Sequence, residues 1–104
     1  MTPVEFRRHL HRHPELSFRE TESARFIAEA LREAGIPCRP IAGTGVLAKI
    51  EGRGDLRRAV VLRADIDALP IREQSGAAWS SENDGVMHAC GHDGHTAILL
   101  GTAK

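Results

Sequence analysis

The sequence predicts an α/β fold, of which these 104 residues form an incomplete N-terminal part. The first observation is a helical spacing of apolar residues in the N-terminal third, and the second is a change to strand-like patterns after Pro37. The third is an apolar helix that begins near Asp93 and is still running at Lys104, without the residues typical of a helix end. Because these elements would bury little surface, we expect the chain to be the N-terminal piece of a larger α/β protein.

Two helices are predicted in the first third of the chain. Residues 2–5 have the form of a capping box with proline in the first turn, and Pro14 should end this helix at the preceding residue. Ser17 and Glu20 repeat the capping pattern ahead of a second helix, and Gly35 supplies its stop signal. The second helix is predicted from apolar residues at positions i, i+3, i+4 and i+7, namely Ala24, Ile27, Ala28 and Leu31.

Strand patterns follow the second helix. Residues 38–41 and 46–50 are predicted to be short strands, with residues 43–45 as a hairpin turn between them. Residues 59–62 form a continuous apolar run, which predicts a strand buried on both faces. Residues 71–86 are polar and lack periodicity, so we expect a long connection there.

Composition excludes several classes of function. Positive and negative side chains balance at 14 each, so nothing suggests nucleic acid or an anionic membrane as a partner. No apolar run approaches the roughly 20 residues of a membrane span, and the N-terminus lacks the apolar region of a signal peptide. We therefore expect a cytoplasmic protein without nucleic-acid or membrane partners. Its thiols should be reduced, with Cys38 acting as a small buried apolar residue.

The densest group of metal-ligating residue types is the stretch MHACGHDGHT, residues 87–96. Its glycines allow the backbone to bend tightly enough for several side chains to converge. Cys90 and His92 lie two positions apart, and a thiolate with an imidazole suits Zn²⁺ or another divalent ion. His88 and His95 are nearby, but neither spacing is diagnostic. Two alternatives stay open: a buried cysteine among surface histidines, and a cysteine nucleophile.

Two carboxylates come before this stretch. Asp65 and Asp67 follow the predicted buried strand, where open α/β sheets place their ligands, and an extended backbone would direct both to one side. They are candidates for metal ligands or for groups that orient a ligand histidine, and the alternative is a pair that caps a turn. On a helix, His9 and His13 share a face and His11 points away, so all three are predicted to be structural.

Four motifs occur along the chain: HRHPELS (residues 11–17), TGV (44–46), RADIDALP (63–70) and MHACGHDGHT (87–96). In this order they resemble the N-terminal part of the aminoacylase-type metallopeptidases, in the amidohydrolase branch. That branch contains hippurate hydrolases, aminoacylases and indole-acetyl-amino-acid hydrolases. The resemblance implies that residues 1–104 are the N-terminal portion of a three-layer α/β/α zinc-peptidase-like catalytic domain, with the lid domain absent.

The resemblance also implies a function, a metal-dependent amidohydrolase that cleaves the amide bond of N-acetyl or N-aroyl amino acids. Cys90 and His92 match metal ligands of the family, and Asp67 matches an aspartate that orients the site. Similar proteins bind two divalent ions, commonly Mn²⁺ with Zn²⁺ as the alternative, and form homodimers through the lid domain. The family's remaining ligands and its general-base glutamate have no counterpart here, so we expect negligible hydrolysis by this chain alone.

Two rival functions stay open at this point. One is a non-catalytic metal-binding module that keeps Cys90 and His92. The other is a hydrolase in which a cysteine acts as the nucleophile, whose activity would survive removal of metal but not alkylation of thiols.

Overall fold

The computed structural model describes all 104 residues as three helices and one small sheet. The elements in chain order are α1 (Pro3–Arg12), α2 (Thr21–Glu33), β1 (Cys38–Ile41), β2 (Gly45–Ala48) and α3 (His92–Ala103). Helix α1 packs most extensively against α3, and α2 contacts α3 and both strands. No helix of the structure is long and apolar enough to cross a bilayer.

Local signals in the sequence account for the beginning of α1 and the end of α2. The hydroxyl of Thr2 accepts a hydrogen bond from the backbone N–H of Glu5, and the Glu5 carboxylate accepts one from the N–H of Thr2. This reciprocal pair is the predicted capping box. Gly35 adopts a φ of +74° after α2, and the N–H of Ile36 donates to the carbonyl of Leu31 at 2.9 Å. That bond closes a Schellman motif, which requires the left-handed conformation that glycine adopts without strain.

The capping box predicted for α2 does not form. Glu20 is the N-cap residue but makes no capping hydrogen bond, and its carboxylate instead accepts from the N–H of Phe18 and the hydroxyl of Thr44. The first turn of α2 is capped from farther back in the chain, because Glu15 accepts a hydrogen bond from the N–H of Ser23 at 2.6 Å. The capping carboxylate therefore belongs to the connection between the two helices.

The hydrophobic core lies where the three helices meet. Only 16 of the 104 residues are buried, so the core is small and each member contributes a large share of it. Truncating a buried leucine to alanine in such a core costs about 2–5 kcal/mol. The core consists of Phe6, Ile27, Ala30, Leu31, Ile36, Ala97 and Leu100.

Strands β1 and β2 form an antiparallel hairpin whose register pairs Cys38 with Ala48 and Ile41 with Gly45. The predicted turn between them is confirmed, and β2 ends two residues earlier than predicted. Cys38 is half-buried against the core, and its thiol lies 3.7 Å from the carbonyl of Ala28.

The prediction of a buried strand at residues 59–62 is wrong for this structure. Val60 and Val61 are 89% and 84% exposed, and the segment forms no strand. A strand needs a neighbour to satisfy its backbone hydrogen bonds, and the only sheet here consists of β1 and β2. The apolar run indicates a segment that prefers burial, but it does not specify the neighbouring strand against which the segment would be buried.

Backbone hydrogen bonds hold the RADIDALP segment (residues 63–70) beside the MHACGHDGHT segment (87–96), which leads into α3. The N–H of Ala68 donates to the carbonyl of Glu15 at 2.8 Å, so the segment is attached to the connection between α1 and α2. Leu69 and Met87 exchange two backbone hydrogen bonds of 2.9 Å. Residues 65–70 and 87–92 are thereby brought together, although they are far apart in sequence.

Candidate metal site

A half-exposed group of side chains forms where the segment around residues 65–67 meets the first turn of α3. We call it the open cluster. The hydroxyl of Thr96 in α3 donates to the main-chain carbonyl of Asp65 at 2.8 Å, which holds the segment against the helix. The open cluster consists of Asp65, Asp67, His92 and His95.

His92 is held by Asp67 through one ring nitrogen only. Its Nδ1 lies 2.8 Å from Oδ1 of Asp67 and 3.0 Å from the carbonyl of the same residue. Both partners are acceptors, so Nδ1 is the donor and the neutral ring keeps its lone pair on Nε2. That nitrogen lies 3.4 Å from Oδ2 of Asp65, which is longer than an ordinary hydrogen bond. Nε2 of His92 is therefore available as a ligand atom and faces a carboxylate.

Three side chains of the open cluster have the spacing of a metal-binding group. One ligand atom from each of Asp65, His92 and His95 lies within 4.8 Å of the others. Two ligands on one tetrahedral ion, with bonds of about 2.0–2.2 Å, are about 3.3–3.6 Å apart. The 3.4 Å between His92 and Asp65 matches that separation. His95 meets the same carboxylate, with Nδ1 at 2.9 Å from Oδ1, and its side chain is the most exposed of the three.

The surroundings keep both aspartates of the open cluster ionised. The hydroxyl of Ser17 donates a hydrogen bond to Asp67 and, together with His92, holds the pKa of that carboxyl below its usual range. A hydrogen bond from His95 similarly lowers the pKa of Asp65, against the opposing effect of burial. The ionised carboxylate of Asp65 beside the free Nε2 of His92 is an oxygen and nitrogen donor pair that suits a divalent cation.

Cys90 lies outside the group of converging ligand atoms. Its thiol is exposed, two residues before His92, and Gly91 between them adopts a φ of +87° and begins α3. The structure therefore brings the predicted residues His92 and Asp67 together and leaves Cys90 apart from them. Metal ligation by Cys90 stays a prediction from the resemblance.

Sequence reasoning did not recognise the contribution of Ser17. The hydroxyl lies in the HRHPELS motif and contacts a carboxylate 50 residues away. Asp65 and His95 were only candidates, because their spacing to His92 indicates a shared site only once the two segments are brought together.

Two other histidines of the motifs are buried. His88 is 4% exposed, and neither of its ring nitrogens has a hydrogen-bond partner. Burial lowers the pKa of His88, which favours the neutral ring. His9 and His13 share a face of α1 as predicted, with ring centroids 4.7 Å apart, whereas His11 points into the protein and is 3% exposed.

Comparison with known proteins identifies similar sequences for nearly the whole chain. The profile of peptidase family M20/M25/M40 matches residues 61–104, which contain every residue of the open cluster. The N-acyl-L-amino acid amidohydrolase of Geobacillus stearothermophilus is 52% identical over 102 residues, and the N-acetyl-L-cysteine deacetylase of Bacillus subtilis is 54% identical over 101. These alignments cover 97% and 96% of this chain, but 27% and 24% of the relatives. The chain thus spans about a quarter of the length of the curated relatives it matches.

A solved structure matches the fold. The YXEP protein of Bacillus subtilis, described as a dinuclear metal-binding peptidase from the M20 family, superposes with a TM-score of 0.88 at 50% sequence identity. The match covers 97% of this chain and 29% of that protein. The predicted fold class is therefore confirmed: the chain is a small α/β unit that corresponds to one part of a larger catalytic protein.

Proposed function

Because this chain belongs to the peptidase family M20/M25/M40, we propose that the open cluster binds divalent metal ions for hydrolysis of the amide bond of N-acyl amino acids. The substrate class is the one named for the similar Geobacillus and Bacillus enzymes. One observation carries the proposal. His92 presents an unengaged Nε2 to the carboxylate of Asp65 at 3.4 Å, while Asp67 fixes the ring from its other side.

The side chains at the proposed metal site divide into ligands and one positioning group. His92 and Asp65 are the proposed ligands, with His95 next to them and Cys90 as a further ligand by resemblance. Asp67 orients the imidazole, as carboxylates beside metal-binding histidines commonly do. The proposed cofactor is a pair of divalent ions, Mn²⁺ or Zn²⁺, in line with the dinuclear YXEP protein. A bound divalent ion supplies Lewis-acid polarisation of the amide carbonyl.

Hydrolysis also needs groups that we do not assign to these residues. The relatives are about four times as long as this chain, and we propose that a general base and further ligands come from sequence corresponding to the rest of them. The 104 residues alone are then expected to bind metal without turnover. The homodimer implied by the resemblance and the expected cytoplasmic location stay predictions.

The first test measures metal binding by the 104-residue chain. We expect stoichiometric uptake of Co²⁺ or Mn²⁺ in calorimetric titrations. Asp67→Asn should weaken the affinity by about 10- to 100-fold, because His92 loses the carboxylate that orients it. Asp55→Asn is the matched control, since Asp55 pairs only with Arg57 in an exposed loop. No metal uptake by the wild-type chain would contradict the proposal.

The second test supplies the missing part of the catalytic protein. This chain replaces the matching segment of the Geobacillus amidohydrolase, with which it shares 52% identity. We expect the chimera to release amino acids from N-acetyl amino acids and to lose this activity with His92→Ala. Activity that survives chelation but is lost on thiol alkylation would favour the cysteine-nucleophile alternative. A chimera that binds metal without turnover, beside an active parent enzyme, would favour a non-catalytic metal-binding module.

A further inference from the structure

A second group of imidazole and carboxylate side chains connects α1 to the first turn of α3, and we call it the buried cluster. Nδ1 of His11 lies 2.7 Å from Oδ2 of Asp93, and its Nε2 lies 2.9 Å from Oε2 of Glu73. The guanidinium of Arg7 reaches the same oxygen of Asp93 at 2.9 Å. The buried cluster consists of Arg7, His11, Glu73 and Asp93.

The contacts of His11 use both nitrogens of its ring. Each nitrogen faces a carboxylate oxygen, one in Asp93 and one in Glu73. With Arg7, two side chains of α1 converge on the same oxygen of Asp93, and Glu73 contacts the other ring nitrogen of His11. Such a group is rigid, because a displacement of His11 leaves the buried carboxylate of Asp93 without one of its hydrogen-bond partners.

Asp93 connects the buried cluster to the open cluster through the backbone of α3. It directly follows His92 in the first turn and is 2% exposed. Its Oδ1 accepts the N–H of Gly94 at 2.9 Å, while its Oδ2 accepts from α1. The N-cap residue Gly91 makes no side-chain capping hydrogen bond, so the connection of the first turn of α3 to α1 runs through Asp93. The position of His92 and His95 therefore depends on how Asp93 is held.

We propose that His11 is a positioning residue for the metal site: through Asp93 it fixes the first turn of α3, and with it the separation of His92 from Asp65. This inference rests on the proposed function. Metal ligands must be held within about 0.5 Å of their working geometry, and a loosened helix turn exceeds that tolerance. The contact of His11 with Glu73 stabilises the ring but does not lie on the path to α3.

A pair of substitutions separates the two contacts of His11. In His11→Asn the amide nitrogen stands where Nδ1 was, so the donor to Asp93 is kept and the one to Glu73 is lost. In His11→Gln the amide nitrogen stands where Nε2 was, and the donor to Asp93 is lost instead. Each variant lacks one buried hydrogen bond, so a purely structural role predicts similar losses of stability and similar metal binding for both.

The experiment measures Co²⁺ affinity and the visible absorption spectrum of bound Co²⁺ for the 104-residue chain. We expect His11→Gln to lower the affinity about 10- to 100-fold and to shift the absorption bands. His11→Asn should stay within about threefold of the wild type with an unchanged spectrum, at the same folded fraction by circular dichroism. Equal behaviour of the two variants would overturn the inference and leave the proposed function standing. A wild-type chain that takes up no Co²⁺ would overturn both.

A milder variant decides the question if His11→Gln does not fold. Arg7→Gln removes the second contact to Asp93 from a side chain that is 38% exposed. We expect a loss of Co²⁺ affinity of about threefold to tenfold with a shifted spectrum. Arg8→Gln is the matched control, since Arg8 lies over the ring of Trp79 and should leave Co²⁺ binding unchanged. An Arg7 variant with wild-type affinity and spectrum would overturn the inference.

Discussion

The open and the buried cluster share the first turn of α3 and both combine imidazoles with carboxylates, but they differ in burial and in the partners of their histidines. In the buried cluster both ring nitrogens of His11 end on carboxylates. In the open cluster Nε2 of His92 has no hydrogen-bond partner and faces Asp65, which is about one-third exposed. Completeness of the hydrogen bonds, more than residue type, separates a structural imidazole from one that can bind a ligand.

The difference has an energetic consequence. Charges that are buried and paired become costly when one partner is removed, because the remaining charge is left without solvent. Partly exposed pairs lose much less, because water replaces the missing partner. We therefore expect substitutions in the buried cluster to act on folding, and substitutions in the open cluster to act on metal binding.

The largest expected effect is that of Asp93→Ala on stability. The substitution leaves the imidazole of His11 and the guanidinium of Arg7 without their shared carboxylate, so we expect a loss of about 3–5 kcal/mol in the free energy of unfolding. Urea denaturation followed by circular dichroism measures it. Asp65→Ala is the control from the open cluster and should cost about 1 kcal/mol or less. Equal losses for the two variants would remove the distinction between the clusters.

Acid should destabilise the protein through Glu73. Burial raises the pKa of this carboxyl, but hydrogen bonds from the Ser75 hydroxyl, from His11 and from the N–H of Ser81 outweigh it and hold the pKa at about 2. The folded state therefore binds this proton less readily than the unfolded state, whose ordinary value is 4.5. The resulting stability is complete above pH 4.5 and is lost as the pH falls towards 2.

The size of this acid effect is about 2–3 kcal/mol, and a pH series of denaturation curves between pH 5 and 2.5 measures most of it. Glu73→Gln removes the titrating group, so the stability of that variant should depend less steeply on pH in this range. Glu82→Gln is the matched control, because the Glu82 side chain is 62% exposed. An identical pH dependence for the wild type and Glu73→Gln would show that protonation of Glu73 does not cause the loss of stability in acid.

Local features of the fold were predictable because their causes are local. The capping box of α1, the stop at Gly35 and the hairpin turn each depend on residues within a few positions of one another. The start of α3 follows from the apolar run after the glycines, and it lies at His92, one residue before the predicted position. The motifs likewise make His92 and Asp67 candidate site residues, and the contact between their side chains agrees with a shared site.

The features that the sequence did not predict correctly depend on partners that are distant in sequence. Residues 59–62 have the composition of a buried strand, but burial requires a neighbouring strand that the apolar run does not specify. The role of His11 was hidden because Glu73 and Asp93 lie 62 and 82 residues further along the chain. The helical spacing shows that His11 lies on a different face of α1 from His9 and His13, but it does not show which residues His11 contacts.

The smallest predicted effect concerns whether Cys90 binds the same metal ion as the open cluster. Cys90 is exposed beside the start of α3, and the two cysteines provide a matched pair. If the thiolate binds the same ion as His92, Cys90→Ser lowers the affinity for Co²⁺ by about tenfold and removes the near-ultraviolet sulfur-to-cobalt absorption. Cys38→Ser should change neither, because Cys38 packs against the core. Unchanged affinity and absorption in Cys90→Ser would instead limit the ligands to the carboxylates and imidazoles of the open cluster.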